Sequence, residues 1–171
     1  MLSAAPLRAQ SQADYAAARD LLREYAQLLG VDLSFQGFAA ELDALEHIYG
    51  PPAGLLLMAR GAGGFLGCLG VRRLSADECE MKRLYVRESA RRTGLGRALA
   101  QAAIEQSRAL GYRRMLLDTL PEMAGAQRLY RSLGFRECGP YRECAGPPLI
   151  YMQLQLTHAR SGPAPPPLPD A

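Results

Sequence analysis

Glu80-Met81-Lys82-Arg83-Leu84-Tyr85-Val86, followed shortly by Arg91-Arg92-Thr93-Gly94-Leu95-Gly96-Arg97, is the stretch of this chain that decides its fold. The first part predicts a strand and the second a turn that opens a helix. Any helix start carries backbone N–H groups without intrahelical partners and the positive end of the helix dipole. Gly94 and Gly96 let an anion approach those donors, and Arg91, Arg92 and Arg97 surround them with charge. The pattern points to a ligand that carries a pyrophosphate.

Elements on both sides of this stretch follow from hydrophobic period and punctuation. Residues 7–10 read as a short strand. Ser11 and Asp14 form a capping signal for a helix whose apolar face runs from Ala18 to Leu29 and ends at Gly30. A second amphipathic helix carries Phe35, Phe38, Leu42, Leu45 and Tyr49 and stops at Gly50-Pro51-Pro52. Residues 54–60 and 65–74 are apolar runs joined by a glycine-rich hairpin, and residues 78–86 form the next strand. The helix from Gly94 closes at Gly111. Residues 113–118 contain the unbroken apolar triplet Met115-Leu116-Leu117, the mark of a central strand. Pro121 opens a helix that carries Ala126, Leu129, Tyr130 and Leu133 on one face, and residues 149–156 make a last strand. The order β-α-α-β-β-β-α-β-α-β predicts an α/β fold, a mixed sheet with helices on both faces.

Composition excludes several classes. Twenty basic and 17 acidic residues give a net charge of +3, too mild for nucleic acid as the main partner. No apolar run approaches the length of a membrane span, and residues 1–10 hold no secretory h-region. Cys68, Cys79, Cys138 and Cys144 form no C-x-x-C pair, and His47 and His158 stand apart from them, so neither a disulfide scaffold nor a metal site is expected. Free thiols fit a reducing cytoplasm. Gly94-x-Gly96-x-x-Leu99 imitates a dinucleotide fingerprint, but Leu99 stands where a small residue must let helix meet strand. No phosphate-binding G-x-x-x-x-G-K-[ST] occurs either. One domain over residues 1–157 is expected. Residues 158–171 are proline-rich and are expected to form an extended or disordered tail.

Three pieces, in order, resemble the GNAT superfamily of acyl-CoA-dependent N-acetyltransferases. Leu84-Tyr85-Val86 looks like the strand segment whose backbone pairs with the pantetheine arm of the cofactor. Arg91-x-x-Gly94-x-Gly96 is similar to the family's pyrophosphate loop, taking in Arg92, Thr93, Leu95 and Arg97. Ala126-x-x-Leu129-Tyr130-x-x-x-Gly134-Phe135 looks like its late helix and the following strand. The resemblance implies a GNAT-like sheet with two splayed parallel strands, here those ending at Val86 and Asp118. It further implies acetyl-CoA as co-substrate, no metal, and direct transfer of an acetyl group to a primary amine in a ternary complex. A non-catalytic acyl-CoA-binding module is the alternative.

Site residues follow from the same resemblance. Tyr130 matches the family's leaving-group acid; a core tyrosine is the plain alternative. Glu80 stands where many members carry a glutamate base, against an ordinary strand glutamate. Asp118, Met123 and Ala126 fall beside the cofactor arm; many members have asparagine where this chain has Met123. Phe35, Gln36 and Tyr141 are acceptor-site candidates, with Phe38 beside them, and His47 reads as a surface histidine. The acceptor, whether small molecule or peptide, stays unnamed, and a homodimer stays open.

Overall fold

The apolar runs pair into a single seven-stranded sheet in the computed structural model, which describes residues 5–30, 32–34, 37–144 and 146–156. In chain order the strands are β1 (Leu7–Arg8), β2 (Leu55–Gly61), β3 (Gly64–Arg73), β4 (Glu78–Val86), β5 (Arg114–Thr119), β6 (Arg136–Cys138) and β7 (Ile150–Gln155). The helices are α1 (Gln12–Leu29), α2 (Phe38–Asp43), α3 (Leu45–Tyr49), α4 (Leu95–Ala109) and α5 (Ala124–Ser132). Across the sheet the order is β1-β2-β3-β4-β5-β7-β6. Every neighbouring pair is antiparallel except β4 and β5, which α4 joins as a parallel crossover.

Burial on both faces explains why β2 is a continuous apolar run. Leu55, Leu57 and Ala59 join one core with Leu99, Ala103 and Ile104 of α4. Leu56 and Met58 point the other way, into a second core with Leu21 and Leu22 of α1 and Leu45 and Tyr49 of α3. The Ser11 capping box is formed: the Ser11 hydroxyl accepts from Asp14 N–H at 3.2 Å, and Asp14 accepts from Ser11 N–H at 3.0 Å.

Three local expectations need correction. The second helix is two, broken at Ala44. Glu41 and Tyr49 would stand about 12 Å apart along a straight helix; with the break, the Tyr49 hydroxyl donates to Glu41 Oε1 at 2.6 Å. The predicted element order lacks a strand that the family resemblance does imply: β6 follows Phe135 and pairs with β7 at the sheet edge. The helix expected from Pro121 begins only at Ala124. The proline-rich stretch from 158, with Phe35 and Gln36, lies outside the described residues.

The splay expected between two parallel strands is present. β4 and β5 pair only at Glu78–Arg114, Cys79–Met115 and Glu80–Leu116, after which they part. Their closed end is pinned: the carbonyl of Asp77 accepts from Arg113 and Arg114 N–H, and Arg114 Nε donates to Glu78 Oε1 at 2.7 Å. On the open side, residues 81–86 of β4 have no strand neighbour toward β5 among the described residues. β4 also carries a bulge. Between Cys68–Tyr85 and Gly70–Lys82 it advances one residue more than β3, and Arg83 takes a left-handed φ of 60°.

Candidate active site

The open end of the V and the start of α4 border one groove of about 620 Å³, lined by Leu84, Tyr85 and Val86 of β4, by the loop residues Arg91 to Arg97 except Thr93, and by Met123, Ala126, Leu129 and Tyr130 around α5. Why the loop is shaped for an anion is visible in its backbone. The first hydrogen bond of α4 runs from Ala98 N–H to the Gly94 carbonyl at 3.0 Å. Among the described residues, nothing accepts from the N–H groups of residues 92–97. Arg92 at φ 62° and Gly94 at φ 87° are left-handed, which turns successive amides toward one side, and only Gly94 is free of the Cβ penalty. Thr93 Oγ1 donates to the Ala90 carbonyl at 2.7 Å and Arg91 Nε to the Val86 carbonyl at 3.1 Å, so the loop is held from both ends. At Gly96, a Cβ would meet Val86 and Leu129 only at ordinary contact distances of 3.8 and 3.9 Å. The space there borders the groove.

Arg91, Arg92 and Arg97 are exposed around these amides. Arg97 also donates to Ser132 Oγ at 2.7 Å. Arg87, which lies in the same arginine cluster of the sequence, is engaged elsewhere: it donates to Glu24 of α1 at 2.9 and 2.5 Å and to the Phe65 carbonyl at 3.0 Å.

At its inner end the groove reaches a smaller cavity of about 50 Å³ between the diverging strands. Tyr130, Tyr25, Leu84 and Met123 line both spaces, so they mark the junction. Tyr130 is buried, packs on Phe135 with ring centroids 5.8 Å apart, and has no hydrogen-bond partner for its hydroxyl among the described residues. Burial above all, with the nearby Tyr25 and Asp118 charges, pushes its phenol well above the ordinary range. It therefore stays protonated, a donor in search of an acceptor.

Behind the inner cavity lies a cluster of charges carried by β3, β4, β5 and the segment after β6. Glu80 is fully buried. Its Oε2 accepts from Arg72 Nε at 2.6 Å and its Oε1 from the Tyr141 hydroxyl at 2.7 Å. Lys82 Nζ lies 3.6 Å from Glu80 Oε1 and 3.8 Å from Asp118 Oδ2, and Arg142 pairs with Asp118. Asp118 lines the cavity; Glu80 sits one layer back. Burial would raise the Asp118 carboxyl, but Lys82 and Arg142 outweigh it and hold it below the usual carboxylate range. A second buried group braces the bulge: Arg83 donates to Glu41 at 2.8 and 2.7 Å, and its guanidinium stacks over Phe38 at 5.0 Å.

The geometry therefore gathers Leu84, Tyr85, Val86, Arg91, Arg92, Gly94, Leu95, Gly96, Arg97, Met123, Ala126 and Tyr130 along one groove. Asp118 belongs to the inner cavity, Tyr141 and Glu80 to the cluster behind it, and Thr93 pins the loop. Lys82, Arg83, Tyr25 and Arg142 were not singled out from the sequence. Two charged residues in the middle of a buried strand were the available signal for Lys82 and Arg83. His47 is exposed. Burial pushes the Cys68 and Cys79 thiols up to about 12, which leaves them inert. Among the described residues no group of His, Cys, Asp and Glu could hold a metal ion, and no helix is long and apolar enough to cross a membrane.

Known proteins resemble this chain. The model of the GNAT acetyltransferase family matches residues 16–135. An N-acetyltransferase of Schizosaccharomyces pombe is 43% identical over 139 residues, 80% of this chain and 85% of the relative. The N-acetyltransferase YjgM of Escherichia coli is 30% identical over 75% of this chain and 77% of its own length. Among solved structures, a GNAT-family acetyltransferase from Staphylococcus aureus superposes with a TM-score of 0.75 at 18% identity, covering 89% of this chain and 98% of that one. An acetyltransferase from Salmonella typhimurium, solved with acetyl-CoA, gives a TM-score of 0.66 at 23% identity, covering 93% and 98%. These last two likenesses speak to the fold; with the family match and the sequence relatives, they establish that the chain belongs to the GNAT family of acetyltransferases.

Proposed function

We propose that this chain transfers an acetyl group from acetyl-CoA to a primary amine, directly, within a ternary complex. The observation that carries this reading is one continuous groove with an unpaired strand edge along residues 81–86, unpartnered amides over residues 92–97, and an unpartnered phenol at its inner end. An amide-bearing pantetheine arm fits the open edge as an added strand would. Its diphosphate fits the amides, with Arg91, Arg92 and Arg97 supplying charge. When bound, acetyl-CoA supplies the activated thioester; the chain supplies position and proton donors.

In this reading, the amine nitrogen attacks the thioester carbon, a C–N bond forms and the C–S bond breaks. Tyr130 Oη donates its proton to the departing sulfur. The proton shed by nitrogen passes toward Glu80, whose Oε1 accepts from the Tyr141 hydroxyl at 2.7 Å, while Asp118, held ionised on the cavity wall, orients the amine. From there the phenol regains its proton, so the charge balances over one turnover. Because burial raises the Tyr130 phenol, it acts best as a donor whose proton moves in concert with C–S cleavage.

Calorimetry with CoA, followed by detection of acetylated product and free thiol over an amine panel, tests the reading. Binding together with stoichiometric product is expected. Binding without product from any amine would leave the acyl-CoA-binding module instead, and absence of binding would overturn both. A Glu80→Gln variant whose pH–rate profile kept its acidic limb would remove Glu80 from proton transfer.

A further inference from the structure

This inference rests on the acetyltransferase reading and deepens it by naming the class of amine. Lys82 and Glu80 alternate with Met81 along β4 and so share a face of the sheet. The Lys82 side chain is only 5% exposed, yet it lines the inner cavity. Among the described residues its Nζ makes no hydrogen bond. The nearest carboxylate oxygens, at 3.6 and 3.8 Å, are Glu80 Oε1 and Asp118 Oδ2, and both are already taken, by Tyr141 and Arg142. An ammonium carries three donors, and burying them unanswered is costly.

The local charge is also unbalanced. Arg72, Lys82 and Arg142 face two carboxylates, Glu80 and Asp118. One positive charge is left over, and the donors that express it open into the acceptor's cavity. We propose that the acceptor is a small amine that also carries a carboxylate, its nitrogen facing Asp118 and its carboxylate bonded to Lys82 Nζ. The pairing gives Lys82 Nζ the hydrogen-bond acceptor it lacks and sets the amine beside Asp118, the carboxylate among the described residues of the cavity wall. The cavity is small, about 50 Å³, and opens into the wider groove through Tyr25, Leu84, Met123 and Tyr130, and its surplus positive charge opposes a polycation. Burial pulls the Lys82 ammonium below its ordinary range while Glu80 and Asp118 push back; an acceptor carboxylate adds to their side.

The test offers the full-length chain and acetyl-CoA a set of L-amino acids, their α-amides, and the corresponding decarboxylated amines. The wild type should prefer the acids in kcat/KM by roughly tenfold to a hundredfold, the worth of a charge-assisted hydrogen bond. Lys82→Met should bring the acid-to-amide ratio close to one by lowering turnover of the acids, with acetyl-CoA affinity by calorimetry held. That variant keeps Glu80 paired with Arg72 and Tyr141, and Asp118 with Arg142, so no carboxylate is stranded. Equal use of acids and amides by the wild type, acetylation of spermidine or a peptide lysine but of no amino acid, or an equal loss on both sets in Lys82→Met would each overturn the carboxylate assignment while the acetyltransferase reading stands. Failure to bind acetyl-CoA at all would sink that reading, and this one with it.

Discussion

Replacing Gly96 by alanine should move stability and cofactor affinity in opposite directions. Gly96 is the second residue of α4, and its φ is not left-handed, so alanine fits the backbone. The new Cβ meets Val86 Cγ2 at 3.8 Å and Leu129 Cδ2 at 3.9 Å, ordinary contacts that require no shift. Removing a helical glycine is therefore a net gain of about 0.5–1 kcal/mol. For a chain of this size that raises Tm by roughly 1–4 °C. The same methyl group occupies the groove wall that Gly96 shares with Val86 and Leu129, beside the loop amides. If the diphosphate lies there, it must draw back from at least one charge-assisted hydrogen bond, each worth about 1.5–3 kcal/mol. At 1.4 kcal/mol per factor of ten, acetyl-CoA affinity should fall by roughly tenfold to a hundredfold. Thermal melting of the free protein and calorimetry with CoA measure the two effects on one preparation. A higher Tm with unchanged affinity would refute the placement of the diphosphate, because the groove would then have tolerated an atom where the phosphate was said to touch backbone.

Tyr130→Phe should lower kcat by about a hundredfold with little change in acetyl-CoA affinity, since the hydroxyl bonds none of the described residues; equal turnover by stopped-flow thiol detection would remove it from the mechanism. Raising salt from dilute to molar concentrations should weaken CoA binding, because Arg91, Arg92 and Arg97 are exposed and fully screened; a flat salt response would mean that they do not contribute. For Glu41, burial would raise the carboxyl, but Arg83 and the Tyr49 hydroxyl outweigh it, so its folded value lies below its unfolded one. The stability it contributes is thus present above the unfolded carboxylate range and is lost as pH falls through the folded value. Glu41→Gln should lower Tm at neutral pH and flatten its acid limb. An acid limb as steep as in the wild type would show that this pair does not govern acid unfolding.

Much of this architecture was legible because its signals are local. The Ser11 capping box, the glycine at α4's start and the unbroken apolar triplet in β5 each declare their element within a few residues. What escaped is non-local. Nothing near Ala44 announces a helix break; its reason lies in Glu41, which must meet Tyr49 and Arg83, the latter 42 residues away. The bulge at Arg83 depends on how β3 counts against β4. Arg87 belongs to the arginine cluster in sequence but to Glu24 in space. Tyr130 was placed through its resemblance to a family; its open hydroxyl could be seen only once both cavities were drawn around it.

The limited pairing of β4 with β5 bears on mechanics as well as chemistry. β1 through β4 form one leaf, and β5, β7 and β6 form another, stitched by backbone, among the described residues, only over the short run from Asp77 to Glu80. Such a spine lets the leaves breathe about their sealed end, and a ligand seated between them would act as a splint. Slow amide exchange in β5 on cofactor addition, without any change in the far strands β1 and β2, would be the mark of that stiffening.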